Sequence, residues 1–311
     1  MKSINRKTGF VLTIIIIVAM LSACGNAPAV EEAADEPANT AVTEETTPEP
    51  EPEPAPASGI SGSVTTAGST SVQPLSDELA FAFEEINPDV TIDIQGGGSG
   101  QGVKAVEADL VDFGALSREL KDEEKAIVKA EYVIAKDGIA VVVNKNVDVD
   151  DLTMEDLKGI FTGEITDWGK VGGSAGKIEV VAREEGSGTR DAFNELTGVT
   201  GKNADGDSVD NTVATALIQG STGAIVTTVS TTENSIGYIS LGSLNDTVKA
   251  INVEGVAPSA ATVLDGTYKV SRPFIYITGR DLSEAAQAYI DFVLGPEGQA
   301  IVGDMGFIPI G

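Results

Sequence analysis

Three times in this chain a β-like run gives way to small residues and hydroxyls, and then to a helical pattern. The turns are Gly68-Ser69-Thr70-Ser71, Gly98-Ser99-Gly100-Gln101-Gly102 and Gly186-Ser187-Gly188-Thr189. A strand that feeds a helix through so short a turn belongs to an α/β architecture, with helices covering both faces of the sheets. The same turns also narrow the chemistry. A helix start presents unpaired N–H groups and a partial positive charge. Glycines let the backbone curl so that several N–H groups converge on one anion, and Ser and Thr add donors at the same point. A single turn of this kind is equally an ordinary N-cap. Three in one chain, the last with Arg183 before it and Arg190 after it, point to a tetrahedral oxyanion.

The alternation runs on from about Gly59. Strands are predicted at 63–66, 90–94, 111–115, 139–143, 178–182, 236–240 and 268–278. Helices are predicted at 74–85, 103–110, 154–161, from Asp191, and at 283–294, with an exposed charged helix over 122–130. Pro74 suits a first helical turn, and Leu75, Leu79, Ala82 and Phe83 fall on one apolar face.

Composition removes whole classes of activity. The 311 residues leave room for two domains. There is no His, which excludes Ser-His-Asp and Cys-His catalysis and every His-containing metal site. One Cys excludes a disulfide framework or a thiolate cluster within the chain. With 48 acids against 20 bases the net charge is −28, which argues against nucleic acid, and 5% aromatics are too few for base stacking. Several segments imitate cofactor motifs without meeting them. Gly163 to Lys170 has one residue too many between its glycines for a P-loop, and Val171 stands where Ser or Thr is needed. Asp205 to Asp210 lacks the central Gly and final Glu of a calcium loop. No metal or cofactor is expected. What remains is an acidic, Gly-rich binding protein, or a hydrolase built without His.

The first 58 residues read as address and tether. Lys2, Arg6 and Lys7 precede an apolar run from Phe10 to Met20, too short for a comfortable membrane span. It leads into Leu21-Ser22-Ala23-Cys24, which resembles the lipobox of bacterial lipoproteins. That resemblance implies a signal peptide over 1–23, cleavage before Cys24 and diacylation of its thiol, which would hold the protein on a bilayer. Residues 24–58 carry nine acids, no base and the run Pro48-Glu-Pro-Glu-Pro-Glu-Pro-Ala-Pro56. A stretch of that kind is expected to be a disordered, extended spacer.

Gly68-Ser-Thr-Ser-Val-Gln-Pro-Leu75, Gln95-Gly-Gly-Gly-Ser-Gly-Gln-Gly-Val103, Val111-Asp-Phe-Gly-Ala115, Arg183-Glu-Glu-Gly-Ser-Gly-Thr189 and Ile236-Gly-Tyr-Ile239 form an ordered set. In order and spacing they resemble the phosphate-binding protein family of the bacterial phosphate-specific ABC transporter, from Gly59 to Gly311. The resemblance implies a two-lobed type II periplasmic-binding-protein fold. One lobe comprises 59–142 and 238–311, the other 143–237, with two hinge crossovers near 139–144 and 236–240. It implies inorganic phosphate as ligand and the permease subunits of an ABC transporter as partner. A lipid-anchored monomer on the outer face of the cell membrane is expected.

Carried over by position, the resemblance assigns the anion to Thr70, Ser71, Ser99, Arg183, Ser187, Gly188 and Thr189. It assigns Glu185 to orienting Arg183. Many members of the family carry an Asp shortly after the Asp-Phe-Gly-Ala strand, where it accepts the proton of hydrogen phosphate. Here that place reads Leu116-Ser117-Arg118. A hydroxyl both donates and accepts, whereas a guanidinium only donates. Ser117 is therefore expected on the anion, with Ser69, Arg118 and Arg190 as further candidates. Without the Asp, sulfate and molybdate stay open as ligands. A phosphatase using Ser99 or Ser187, or an adhesin or sensor on the same fold, are the alternatives of other classes.

Overall fold

The described chain opens with β1 (Gly62–Gly68), α1 (Gln73–Ile86), β2 (Val90–Gly96), α2 (Ser99–Glu107), β3 (Phe113–Leu116) and the long β4 (Ala130–Val143). Next come β5 (Asp151–Leu152), α3 (Met154–Thr162), β6 (Glu179–Arg183), α4 (Gly188–Thr197), the hairpin of β7 (Thr200–Lys202) and β8 (Ser208–Asp210), then β9 (Leu217–Gln219), α5 (Thr222–Thr231) and β10 (Ser235–Ser240). It closes with β11 (Lys249–Ala250), β12 (Asn252–Val253), α6 (Ala260–Leu264), β13 (Ser271–Thr278), α7 (Glu284–Leu294) and α8 (Pro296–Asp304). The structure is a computed structural model that describes residues 59–310. The expected signal peptide, Cys24 and the tether lie outside the described residues. No helix among the described residues is long and apolar enough to cross a membrane.

The main sheet runs β2-β1-β3-β13-β4-β10-β6-β9, with β11 beside β4. Its flanks are parallel, β2 to β1 to β3 on one side and β10 to β6 to β9 on the other. Its centre is antiparallel, because β13 runs against both β3 and β4, and β10 against β4. The α/β expectation is met, and each flank takes the strand–turn–helix form read from the sequence.

Both faces are covered, and the side chains divide accordingly. Along β4, Ile139, Val141 and Val143 enter one apolar cluster with Phe161, Trp168 and Phe193, while Ala140 and Val142 enter another with Ile225 and Val229. Along β13, Phe274 and Tyr276 pack with Leu75, Leu79 and Phe83 of α1, while Ile275 and Ile277 pack with Val103 and Val106 of α2. The two-residue period of a strand puts neighbours on opposite faces, so a strand covered twice reads as a continuous apolar run. Fully burying one such side chain contributes about 1.5–3 kcal/mol before entropy.

The charged helix predicted at 122–130 is absent; only Lys125–Ile127 makes a 3-10 turn. The Glu124 carboxylate is drawn onto Arg118 at 2.7 Å and onto the Lys121 N–H at 3.0 Å. Ile127 and Val128 pack onto the cluster of Val103 and Leu116. These tertiary partners outweigh the modest helix propensity of the segment. Conversely, α5, α6 and α8 form where the sequence predicts no helix. The Thr-rich stretch of α5 lowers helix propensity through χ1 restriction, and its start rests on the Ser221 cap, which accepts from Ala224 N–H at 3.1 Å.

Candidate functional site

The Gly68 turn shows how the chain brings its hydroxyls inward. Gly68 has φ +144°, and a Cβ there would lie 2.2 Å from the Ala115 carbonyl oxygen. Only glycine lets β1 pass β3 so closely. The next residue then donates its N–H to that same carbonyl at 2.8 Å, which sets Ser69, Thr70 and Ser71 over the end of β3. Ser69 Oγ donates to Ser117 Oγ at 2.8 Å. Ser117 N–H donates to Ser99 Oγ at 3.1 Å. Ser69, Ser71, Ser99 and Ser117 are all buried.

The third turn comes from the other flank of the sheet. Ser187 caps α4 by accepting the Arg190 N–H at 3.3 Å, which leaves its own O–H free to donate outward. Thr189 Oγ1 lies 2.9 Å from Ser71 Oγ. Gly100 N–H of the second turn donates to the Gly186 carbonyl at 2.9 Å. All three turns are thus in direct contact, although 118 residues separate Ser71 from Thr189.

Arg183, at the end of β6, is 1% exposed. Its N–H donates to Tyr238 Oη at 3.2 Å. That ring stacks on Phe193 of α4 with centroids 4.2 Å apart, so one aromatic pair fixes β6, β10 and α4 together. Burial pushes the Tyr238 phenol well above its ordinary range, so it stays a neutral acceptor. The guanidinium makes a two-pronged bond to Glu184, Nε and Nη2 each at 2.8 Å. The expected orienting residue, Glu185, is exposed instead. The correction has a local cause: Glu184 N–H is pinned to the Gln219 carbonyl at 3.1 Å, which holds it beside Arg183, and the chain then turns away at Gly186 with φ +85°.

Two further candidates, Arg118 and Arg190, have partners of their own. Arg118 is buried but committed elsewhere: Nη1 and Nη2 bond Glu124 at 2.7 Å, Nη1 also reaches the Glu119 carbonyl, and Nε lies 3.0 Å from Asp191. Arg190 donates Nη1 to the Arg183 carbonyl at 2.6 Å and Nε to Asp210 at 2.7 Å. It braces the backbone of Arg183. All three guanidinium groups have carboxylate partners; Arg183 differs in that its Nη1 also reaches the hydroxyl cluster, at Thr222 Oγ1.

One residue was missed. Thr222 opens α5, and its Oγ1 accepts from Arg183 Nη1 at 3.2 Å while lying 2.9 Å from Ser71 Oγ. Thr222 N–H donates to Thr70 Oγ1 at 3.3 Å. The signal was present: Gly220-Ser221-Thr222-Gly223 follows a strand and precedes a helix, the same form as the other turns. Four helix starts therefore border one buried cluster of hydroxyls beside one guanidinium. Such a cluster offers many donors and one fixed positive charge, which suits a compact oxyanion. Two open grooves on the described surface, one at Lys158 and Glu164, the other at Lys121, Asp191 and Asp207, share no residue with it.

Known proteins resemble this chain in sequence and in fold. Residues 53–297 match the family model of the PBP superfamily domain. The chain is 47% identical over 135 residues to the phosphate-binding protein PstS 2 of Streptococcus pneumoniae, covering 43% of this chain and 46% of that one, so it spans about half the length of that relative. It is 33% identical over 254 residues to the phosphate-binding protein PstS of Bacillus subtilis, covering 80% of this chain and 81% of that one. A solved structure of a phosphate ABC transporter substrate-binding protein with bound phosphate, from Clostridium perfringens, superposes with a TM-score of 0.75 at 42% identity, over 80% of this chain and 100% of that one.

Proposed function

We infer that this chain, which belongs to the PBP superfamily and within it to the phosphate-binding proteins of ABC transporters, binds inorganic phosphate outside the cytoplasm and hands it to an ABC permease. The observation that carries the reading is the buried meeting of Ser71, Thr189 and Thr222 hydroxyls beside the Arg183 guanidinium. Thr70, Ser71, Ser99, Ser117, Ser187, Gly188 and Thr189 supply hydroxyl or backbone donors, and Arg183 the charge. Hydrogen bonds to a charged group contribute about 1.5–3 kcal/mol each. Several together exceed the cost of immobilising a small ion, and a micromolar Kd needs only about 8 kcal/mol net.

The lobes in this reading are 59–142 with 238–311, and 143–237. They close on the anion by bending where β4 and β10 carry the chain between them. Cys24, once acylated, anchors the monomer at the membrane, and the acidic tether gives it reach. The protein is a receptor and not an enzyme: Ser99 and Ser187 are engaged as acceptors of N–H groups, which fixes them without activating them as nucleophiles.

Thermal melting with phosphate, sulfate and molybdate tests the proposal. Phosphate alone should raise Tm, by mass action on the folded state. An equal rise with sulfate would instead make the chain a general receptor for tetrahedral oxyanions, the outcome that the sequence Leu116-Ser117-Arg118 leaves open.

A further inference from the structure

Asp137 and Arg272 form an ion pair sealed from solvent, with side-chain accessibilities of 0% and 1%. Burying two charges costs several kcal/mol per ion, and an apolar pair of the same size is often as stable or more so. Stability alone therefore does not account for this pair. Its bonds show where its geometry is used. Asp137 Oδ2 accepts from Arg272 Nε at 3.2 Å and Nη2 at 3.0 Å. Asp137 Oδ1 accepts from Ser240 Oγ at 3.0 Å and from Leu241 N–H at 3.1 Å. The remaining fork of the guanidinium, Nη1, donates to the Ser117 carbonyl at 3.1 Å.

Two features of that bonding stand out. Ser117 is held on both sides of its own Cα: its N–H by Ser99 Oγ and its C=O by Arg272. Its hydroxyl then has a set direction, toward Ser69 and Ser99 in the hydroxyl cluster. The pair also sits where β4 changes partners. Gly138 faces Ser271 of β13, and the next residue, Ile139, faces Ser240 of β10. One carboxylate thus joins β4, the end of β10 and, through Arg272, the pocket.

Resting on the phosphate-receptor reading, we propose that Arg272, held by Asp137, is the positioning residue of the anion pocket: it fixes the Ser117 hydroxyl for the ligand and ties the pocket to the strand junction on which closure bends. A lysine keeps the charge but lacks the planar fork, so it cannot serve Asp137 and the Ser117 carbonyl together.

Arg272→Lys should weaken phosphate binding by about tenfold or more in calorimetry, because the displaced Ser117 hydroxyl loses its hydrogen bond to the charged ligand. In a Ser117→Ala background the same change should cost little further, because both act through one hydroxyl. Asp137→Asn/Arg272→Met removes both charges without orphaning either, and serves if the lysine variant does not fold. It should show the same loss. Amide hydrogen exchange at Ser117 in ligand-free protein gives a readout independent of phosphate, and should speed up in Arg272→Lys. A folded variant with Kd within about twofold of wild type, or losses that simply add, would overturn the proposal. If wild type itself binds no phosphate, the receptor reading falls, and exchange alone decides: unchanged protection at Ser117 overturns the positioning role.

Discussion

Gly188 sits where two serines leave no room for a side chain. A Cβ built there would lie 2.1 Å from Ser99 Oγ and 2.9 Å from Ser117 Oγ. Ser99 is buried among its partners and cannot swing away, so overpacking should cost about 1–3 kcal/mol. Gly188→Ala is expected to lower Tm and to weaken phosphate binding together, as read by melting and calorimetry. A variant with normal affinity would place the anion elsewhere. The role of Gly188 in the turn was readable because the pattern of glycine and hydroxyls is local. The partners of Arg183, Arg118 and Arg190 were not. An arginine side chain has several carboxylates within reach, and only the folded backbone selects Glu184 for Arg183, Glu124 and Asp191 for Arg118, and Asp210 for Arg190.

At the scale of elements, β4 is the strand to watch. Its Asp137 carboxyl is pushed up from 3.8 to about 6 by burial, against the pull of Arg272 and the bonds from Ser240 and Leu241. The other groups acting on the pair are Tyr268, ahead of β13, and Arg183 and Tyr238, on β6 and β10. A folded-state value above the unfolded one means that the native state holds this proton more tightly. The group's contribution to stability is then full below about pH 4 and is lost as pH rises through about 6. Melting of wild type and Asp137→Asn over this range should show the advantage of wild type shrinking as pH rises. A constant or growing advantage would contradict the shift. The sequence predicts only the last five of the fourteen residues of β4, from Ile139, where both faces are apolar. The stretch from Ala130 to Gly138 alternates more weakly and becomes a strand because β13 pairs with it throughout.

For the whole molecule, the opposition is between a local pocket and a global field. The chain carries a net charge of −28 and is read as binding an anion. Beyond about 8 Å, physiological salt screens such a field heavily, while a buried guanidinium and its neighbouring donors are screened much less. The acidic surface should therefore slow association at low ionic strength and leave the closed complex nearly untouched. Stopped-flow binding should show the association rate constant for phosphate rising with added neutral salt. A clear fall would mean that a local positive field steers the ligand.

From its own order of residues the chain specifies the strand–turn–helix units, the face each helix buries, and three of the four turns that meet around Arg183. Those features depend on contacts within a few residues, on turn chemistry and on periodicity, all of which act before any tertiary contact forms. The sheet order decided the rest. It joined Asp137 to Arg272 across 135 positions, drew Thr222 in beside Ser71, and paired Arg118 with Glu124 and Asp191. Which buried charges meet depends on which distant strands lie side by side, and local pattern carries no information about that.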